Sequence, residues 1–134
     1  MRAAPRSGFN AILLENPARL MHHLILDSHG NAQLRLAIVA KELGAEMRTL
    51  QRTFASEYQT SMARCQVEVR LVYSQWLLSI FPPTKITAVA AILGYDRVQD
   101  FNRFFKKHMR ESPAEWGRKE RQKTASEAEH ASPG

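Results

Sequence analysis

The sequence predicts an all-α chain: two copies of a short helix, a glycine turn and a second helix, joined by one long helix. Three observations carry this. Apolar residues recur at helical spacing along most of the chain, no stretch alternates as a strand would, and the pattern of residues 36–54 returns about fifty positions later.

Residues 1–15 have no clear period before Phe9 and are expected to form a flexible start. Asn16 before Pro17 then signals a helix, because Asn caps free amides and proline is tolerated at the first helical position. That helix is expected to reach Asp27, with Leu20, Met21 and Leu24 facing inward, and "DSHGNA", residues 27–32, to turn the chain. Leu36, Val39, Ala40 and Leu43 mark the next short helix, which Gly44 closes by taking a left-handed conformation.

A helix from Met47 to about Tyr58 puts Leu50 and Phe54 on one side and leaves Arg48, Gln51, Arg52 and Ala55 outward. From Ser61 to Ser79, Met62, Cys65, Val69, Val72, Tyr73, Trp76 and Leu77 read as one apolar stripe on a long helix, which Pro82 and Pro83 stop. Residues 86–93 form the second short helix, ended by Gly94. Asp96 with Gln99 resembles a capping box for the helix that follows to about Met109. Ser112 and Pro113 open a last turn or helix carrying Trp116, followed by the basic "GRKERQK".

The expected organisation is therefore a flexible segment 1–15, a first unit with the linker helix over 16–80, a second unit over 81–123, and a disordered tail over 124–134.

Composition narrows the function. There are 19 lysines and arginines against 13 aspartates and glutamates, a formal charge of +6. The last eleven residues hold two of the glutamates and none of the basic residues, so the body is more basic still. Such a surface favours polyanions. Cys65 is the only cysteine, which excludes an intrachain disulfide and a cysteine-rich metal site and fits a reducing cytoplasm. Its place on the apolar stripe predicts a buried, inert thiol. No apolar run approaches the roughly 20 residues that cross a bilayer, and the N-terminus lacks the apolar core of a signal peptide. His22, His23, Asp27 and His29 are close in sequence but lack metal-ligand spacing, so no metal or cofactor is expected. No nucleophile with a base, no phosphate-cradling loop and no small-molecule site is evident, and an enzyme is not expected.

The repeat is the most informative motif. At a shift of fifty, "LAIVAKELG" and "ITAVAAILG" share valine, alanine, leucine and glycine; beyond the glycine the shift becomes fifty-one, and Leu50, Arg52 and Phe54 answer to Phe101, Arg103 and Phe105. Two amphipathic helices joined by a tight glycine turn form the helix-turn-helix pattern, in which the first helix braces the second in a DNA major groove. The long middle helix would span about 27 Å, against about 34 Å between successive major-groove faces on one side of DNA.

Residues 34–118 resemble the C-terminal DNA-binding domain of AraC/XylS-type transcription regulators, on "VAKELG…RTLQRTF", Arg70 of "EVRL", and "ITAVAAILGYDRVQDFNRFFKKHMRESPAEW". The resemblance implies two helix-turn-helix subdomains joined by a long central linker helix, binding double-stranded promoter DNA, mostly as an activator, with RNA polymerase as a candidate second partner. It maps base contacts onto Arg48, Gln51 and Arg52 in the first copy and onto Val98, Gln99, Asn102 and Arg103 in the second. Arg pairs bidentately with guanine, and Gln or Asn with adenine. Lys106, Lys107 and Arg110 are expected to meet phosphates. The chain departs from the family pattern in having Glu46 in place of a Ser or Thr cap, Gln59 and Arg110 where glycine is usual, and Val98 and Asp100 on the second reading helix. Those departures motivate an alternative, a helix-turn-helix relic that binds a protein partner and not DNA.

Overall fold

The structure is a computed structural model and describes residues 16–131. Among these the helices are α1 (Pro17–Asp27), α2 (Leu36–Glu42), α3 (Met47–Tyr58), α4 (Met62–Ser79), α5 (Ile86–Ile92), α6 (Val98–Met109) and α7 (Pro113–Ala131), with no strand among the described residues. The chain forms two compact units, one ending at Arg70 and the other beginning at Leu71. The boundary thus falls inside α4 and not after it, because successive halves of that helix bury residues in different cores. The expected start over 1–15 lies outside the described residues.

In the first unit, α1 begins as expected: the Asn16 side chain accepts the Arg19 amide at 3.2 Å, and proline opens the first turn. Ala18, Met21 and Ile25 of α1 meet Val39 and Ala40 of α2, Leu50 and Phe54 of α3, and Met62 and Cys65 of α4 in one buried core. Leu20 is buried as expected, whereas Leu24 only borders the core and Ile25 takes its place. The Arg19 guanidinium and the Asn16 amide both donate to Glu57, at 3.0 and 3.4 Å, fastening the start of α1 to the end of α3.

A polar clamp fixes the turn after α1. The Gln66 side chain, itself buried, donates to the carbonyls of Asn31 and Leu34 at 2.9 and 2.8 Å, and Arg70 Nε donates to the Gly30 carbonyl at 2.7 Å. Gly30 is required twice over. Its φ of 66° is left-handed, and an added Cβ would collide with the α4 backbone at Gln66 and Arg70.

The second unit packs Leu77 and Leu78 of α4 against Val89, Ala90 and Leu93, with Phe101 and Phe105 of α6 fully buried. Trp116 of α7 meets Phe105 edge-on at 5.7 Å and packs against the same core. Gly117 is buried against α4, where a Cβ would stand 3.1 Å from the Leu78 carbonyl, and the Arg121 guanidinium donates to that same oxygen.

Three further expectations are corrected. Val72 and Trp76 are 63% and 55% exposed, although the stripe on α4 had them inward. The first unit buries Met62, Cys65 and Gln66, the second Ser74, Leu77 and Leu78, so no single stripe runs the length of the helix. Trp76 stacks on Tyr73 with centroids 5.9 Å apart. The capping box at Asp96 and Gln99 does not form: α6 has Arg97 at its N-cap, with no side-chain cap bond. Finally, helix α7 continues through residues 124–131 of the expected disordered tail, the rest of which lies outside the described residues. This end is rich in Ala and Glu, which hold a helix without burial, and Thr124 bonds back to the Glu120 carbonyl at 3.0 Å.

Candidate nucleic-acid interface

The two glycine turns close alike. Gly44 and Gly94 have φ of 70° and 91°, and the following residues, Ala45 and Tyr95, donate to the carbonyls of Ala40 and Ala90 at 3.0 and 2.9 Å. The second turn holds one residue more before its helix resumes, which is the physical origin of the change in shift from fifty to fifty-one.

Past the turns, α3 and α6 correspond position for position at a shift of fifty-one. Leu50 and Phe54 are buried on α3, Phe101 and Phe105 on α6. Met47 and Val98 hold matching places at the first turn, each partly buried against its own core. Val98 therefore gives part of its surface to packing.

With the inward side fixed, the outward one follows from the 3.6-residue period. Arg48, Gln51 and Arg52 stand exposed on one face of α3, and Gln99, Asn102 and Arg103 stand exposed at the matching positions of α6. Each unit thus brings its own three expected base-contacting residues together. Beyond them the faces differ. Helix α3 continues outward with Ala55, Ser56 and Gln59, and α6 with Lys106, Lys107 and Arg110, all exposed. Lys106, Lys107 and His108 also lie in the last turn of α6, where cations complement the helix dipole.

The departures from the family pattern acquire structural roles. Glu46 caps α3 as a Ser or Thr would: its carboxylate accepts the Thr49 amide at 3.0 Å and the Thr49 hydroxyl at 2.6 Å. Those two bonds hold the Glu46 carboxyl below its ordinary pKa. Gln59 and Arg110 end their helices with φ of 54° and 67°, so both keep the left-handed closure usually given to glycine. Asp100 pairs with Arg103 on its own helix at 3.3 Å. Arg97, exposed at the N-cap of α6, is a cation at the front of that helix that the sequence alone did not single out. Only the extra residue in the second turn signals it.

The remaining chemistry is structural. The His22 ring stacks on Tyr58 at 3.9 Å, and burial, with the charge of His23 second, lowers its pKa. Among the described residues no group of three or more His, Cys, Asp or Glu is arranged to hold a metal. Cys65 is buried as expected, and burial, followed by the nearby Glu68 charge, pushes its thiol up, away from the reactive thiolate. No helix among the described residues is long and apolar enough to cross a membrane.

Two glycine-turn units, each with an exposed, arginine-bearing second helix, define a helix-turn-helix protein. Residues 39–119 match the family described as "Helix-turn-helix domain". That is more than half of the chain, which belongs to this family in its AraC/XylS-type form, that of DNA-binding transcription regulators.

Solved structures agree. The C-terminal domain of AraT, a response regulator from Geobacillus stearothermophilus, is similar at 26% identity and a TM-score of 0.68, over 79% of this chain and 87% of that one. A DNA-binding transcriptional dual regulator from Escherichia coli K-12 shares the fold at 24% identity and a TM-score of 0.62, over 78% of this chain and 93% of that one. The C-terminal domain of the two-component response regulator yesN from Fusobacterium nucleatum does so at 20% and 0.65, over 77% of this chain and 99% of that one. No curated protein matches the chain.

Proposed function

We propose that the chain is a sequence-specific transcription regulator that reads promoter DNA with α3 and α6 in adjacent major grooves and acts as an activator. The observation that carries this reading is the repetition of one exposed polar face on both helices, over inward faces that match position for position. Helix α4, 18 residues long and so about 27 Å, contributes buried residues to both units.

In this reading Arg52 and Arg103 each take a guanine through the paired donors of the guanidinium, and Gln51, Gln99 and Asn102 take adenines. Arg48 reads beside Arg52, while Lys106, Lys107 and Arg110 meet phosphates and set the register. RNA polymerase is the second partner that activation requires. The protein-partner alternative loses its motive, since Glu46 caps, Val98 packs and Asp100 pairs.

Arg52→Ala and Arg103→Ala test the reading. Each should cost about 1–3 kcal/mol of affinity for a preferred duplex and relax selection at one base pair, a different one for each variant. Affinity should fall as salt rises. Gel-shift titrations in which both variants bind with unaltered affinity and preference would sink it.

A further inference from the structure

Asp100 is an anion on the face that the proposed reading turns toward a polyanion. Its side chain is 45% exposed and pairs with Arg103 at 3.3 Å. At the matching position of the first unit stands Thr49, which donates its hydroxyl to Glu46, and the Glu46 carboxylate in turn feels the charge of Arg52.

We propose that Asp100 is a specificity-determining residue acting through Arg103, so that the second reading helix accepts guanine and resists a phosphate. This rests on the reading of α6 as a DNA-contacting helix. A guanidinium is planar with five donors, so one edge can stay on the Asp100 carboxylate while another makes the paired contact to guanine O6 and N7. Guanine presents two neutral acceptors there, and the carboxylate is left undisturbed. A phosphate in the same place would bring a second anion beside Asp100, and Arg103 would have to leave one to serve the other. The pair therefore holds the guanidinium ready for a base edge and penalises its commonest nonspecific use.

The test uses the full chain, with Asp100→Asn and Asp100→Thr, the latter giving α6 the residue found on α3. Both substitutions are on an exposed turn of α6 and leave its buried phenylalanines untouched. Binding is followed by fluorescence anisotropy on a duplex selected from a random pool and on a random-sequence duplex, across a salt series. The expected result is tighter binding to random duplex with a steeper salt dependence, and a ratio of selected to random affinity reduced about two- to five-fold, the range open to an exposed ion pair. Reselection should show the loss at the base pair that Arg103→Ala also relaxes. In an Arg103→Ala background, Asp100→Asn should no longer change that ratio.

An unchanged ratio overturns the inference. So does a loss of preference at a different base pair, which would make Asp100 a base reader itself, or an effect that persists without Arg103. If the parent chain shows no salt-sensitive binding at all, the DNA reading fails first; if it binds and only the Asp100 variants behave like it, this inference alone fails.

Discussion

The two glycine-turn units share a skeleton and differ in charge. Their buried residues, left-handed closures and outward positions correspond, yet the far end of α3 carries Ala55, Ser56 and Gln59, and that of α6 carries Lys106, Lys107 and Arg110. Packing fixes where a side chain points, and the outward residue type is then free to vary. In the proposed reading the first helix is thus equipped mainly to read bases, and the second to read and to anchor.

The inward match is the costliest to break. Phe54 and Phe105 are both fully buried at equivalent places. Phe54→Ala should cost about 3–5 kcal/mol and strip amide protection from α1 to α3, and Phe105→Ala should cost as much and strip it from α5 to α7. Hydrogen exchange with denaturant melts measures both; a loss under 1 kcal/mol in either unit would break the correspondence.

The outward difference is tested through salt. Replacing Lys106 and Lys107 together by Ala should flatten the dependence of log affinity on log salt by about two units if each neutralises one phosphate. Ala55→Lys, which adds the missing cation to α3, should steepen it by about one. Equal salt slopes for all three proteins would mean that these positions do not face the backbone of DNA.

The closures separate strain from contact. Gln59 and Arg110 are left-handed without being glycine, so Gln59→Gly and Arg110→Gly should each gain about 1 kcal/mol in thermal melts. Only Arg110→Gly should weaken DNA binding, as it alone removes a proposed phosphate contact. Equal binding losses would remove the distinction between the two helix ends.

The smallest expected effect is on acid tolerance. Glu46 and Glu57 of the first unit both have lowered pKa values, the one through its Thr49 bonds and the other through Arg19 and Asn16. A carboxyl lowered by folding adds stability above its unfolded pKa, near 4.5, and that contribution is lost as pH falls through the lower folded value. Protection in α1 to α3 should therefore drop below pH 4.5 more than in a Glu57→Gln variant, in which the Arg19 contribution is already gone. Identical acid profiles for the two proteins would show that the Arg19 pair adds nothing.

Much of this was legible in the sequence because local chemistry wrote it there. Asn16 and Pro17 mark one helix start, and Gly44 and Gly94 mark two helix ends. The outward sets on α3 and α6 follow once Leu50, Phe54, Phe101 and Phe105 are placed inside. What was not legible depends on contacts distant in sequence. Helix α4 changes the side it buries between Gln66 and Ser74, so a single stripe ran Val72 and Trp76 inward when both are exposed. The unit boundary at Arg70 and Leu71 leaves no break in composition for the same reason. At α6 the extra turn residue moved the cap from Asp96 to Arg97, and capping residues alone could not reveal that displacement.

The central claim is that both copies read DNA, and selection of bound duplexes from a random pool tests it most directly. Two blocks of preferred base pairs are expected, with centres about one helical turn, roughly 10 base pairs, apart. Arg52→Ala should relax only one block and Arg103→Ala only the other. A pool that emerges with a single block, insensitive to one of the two arginines, would contradict it.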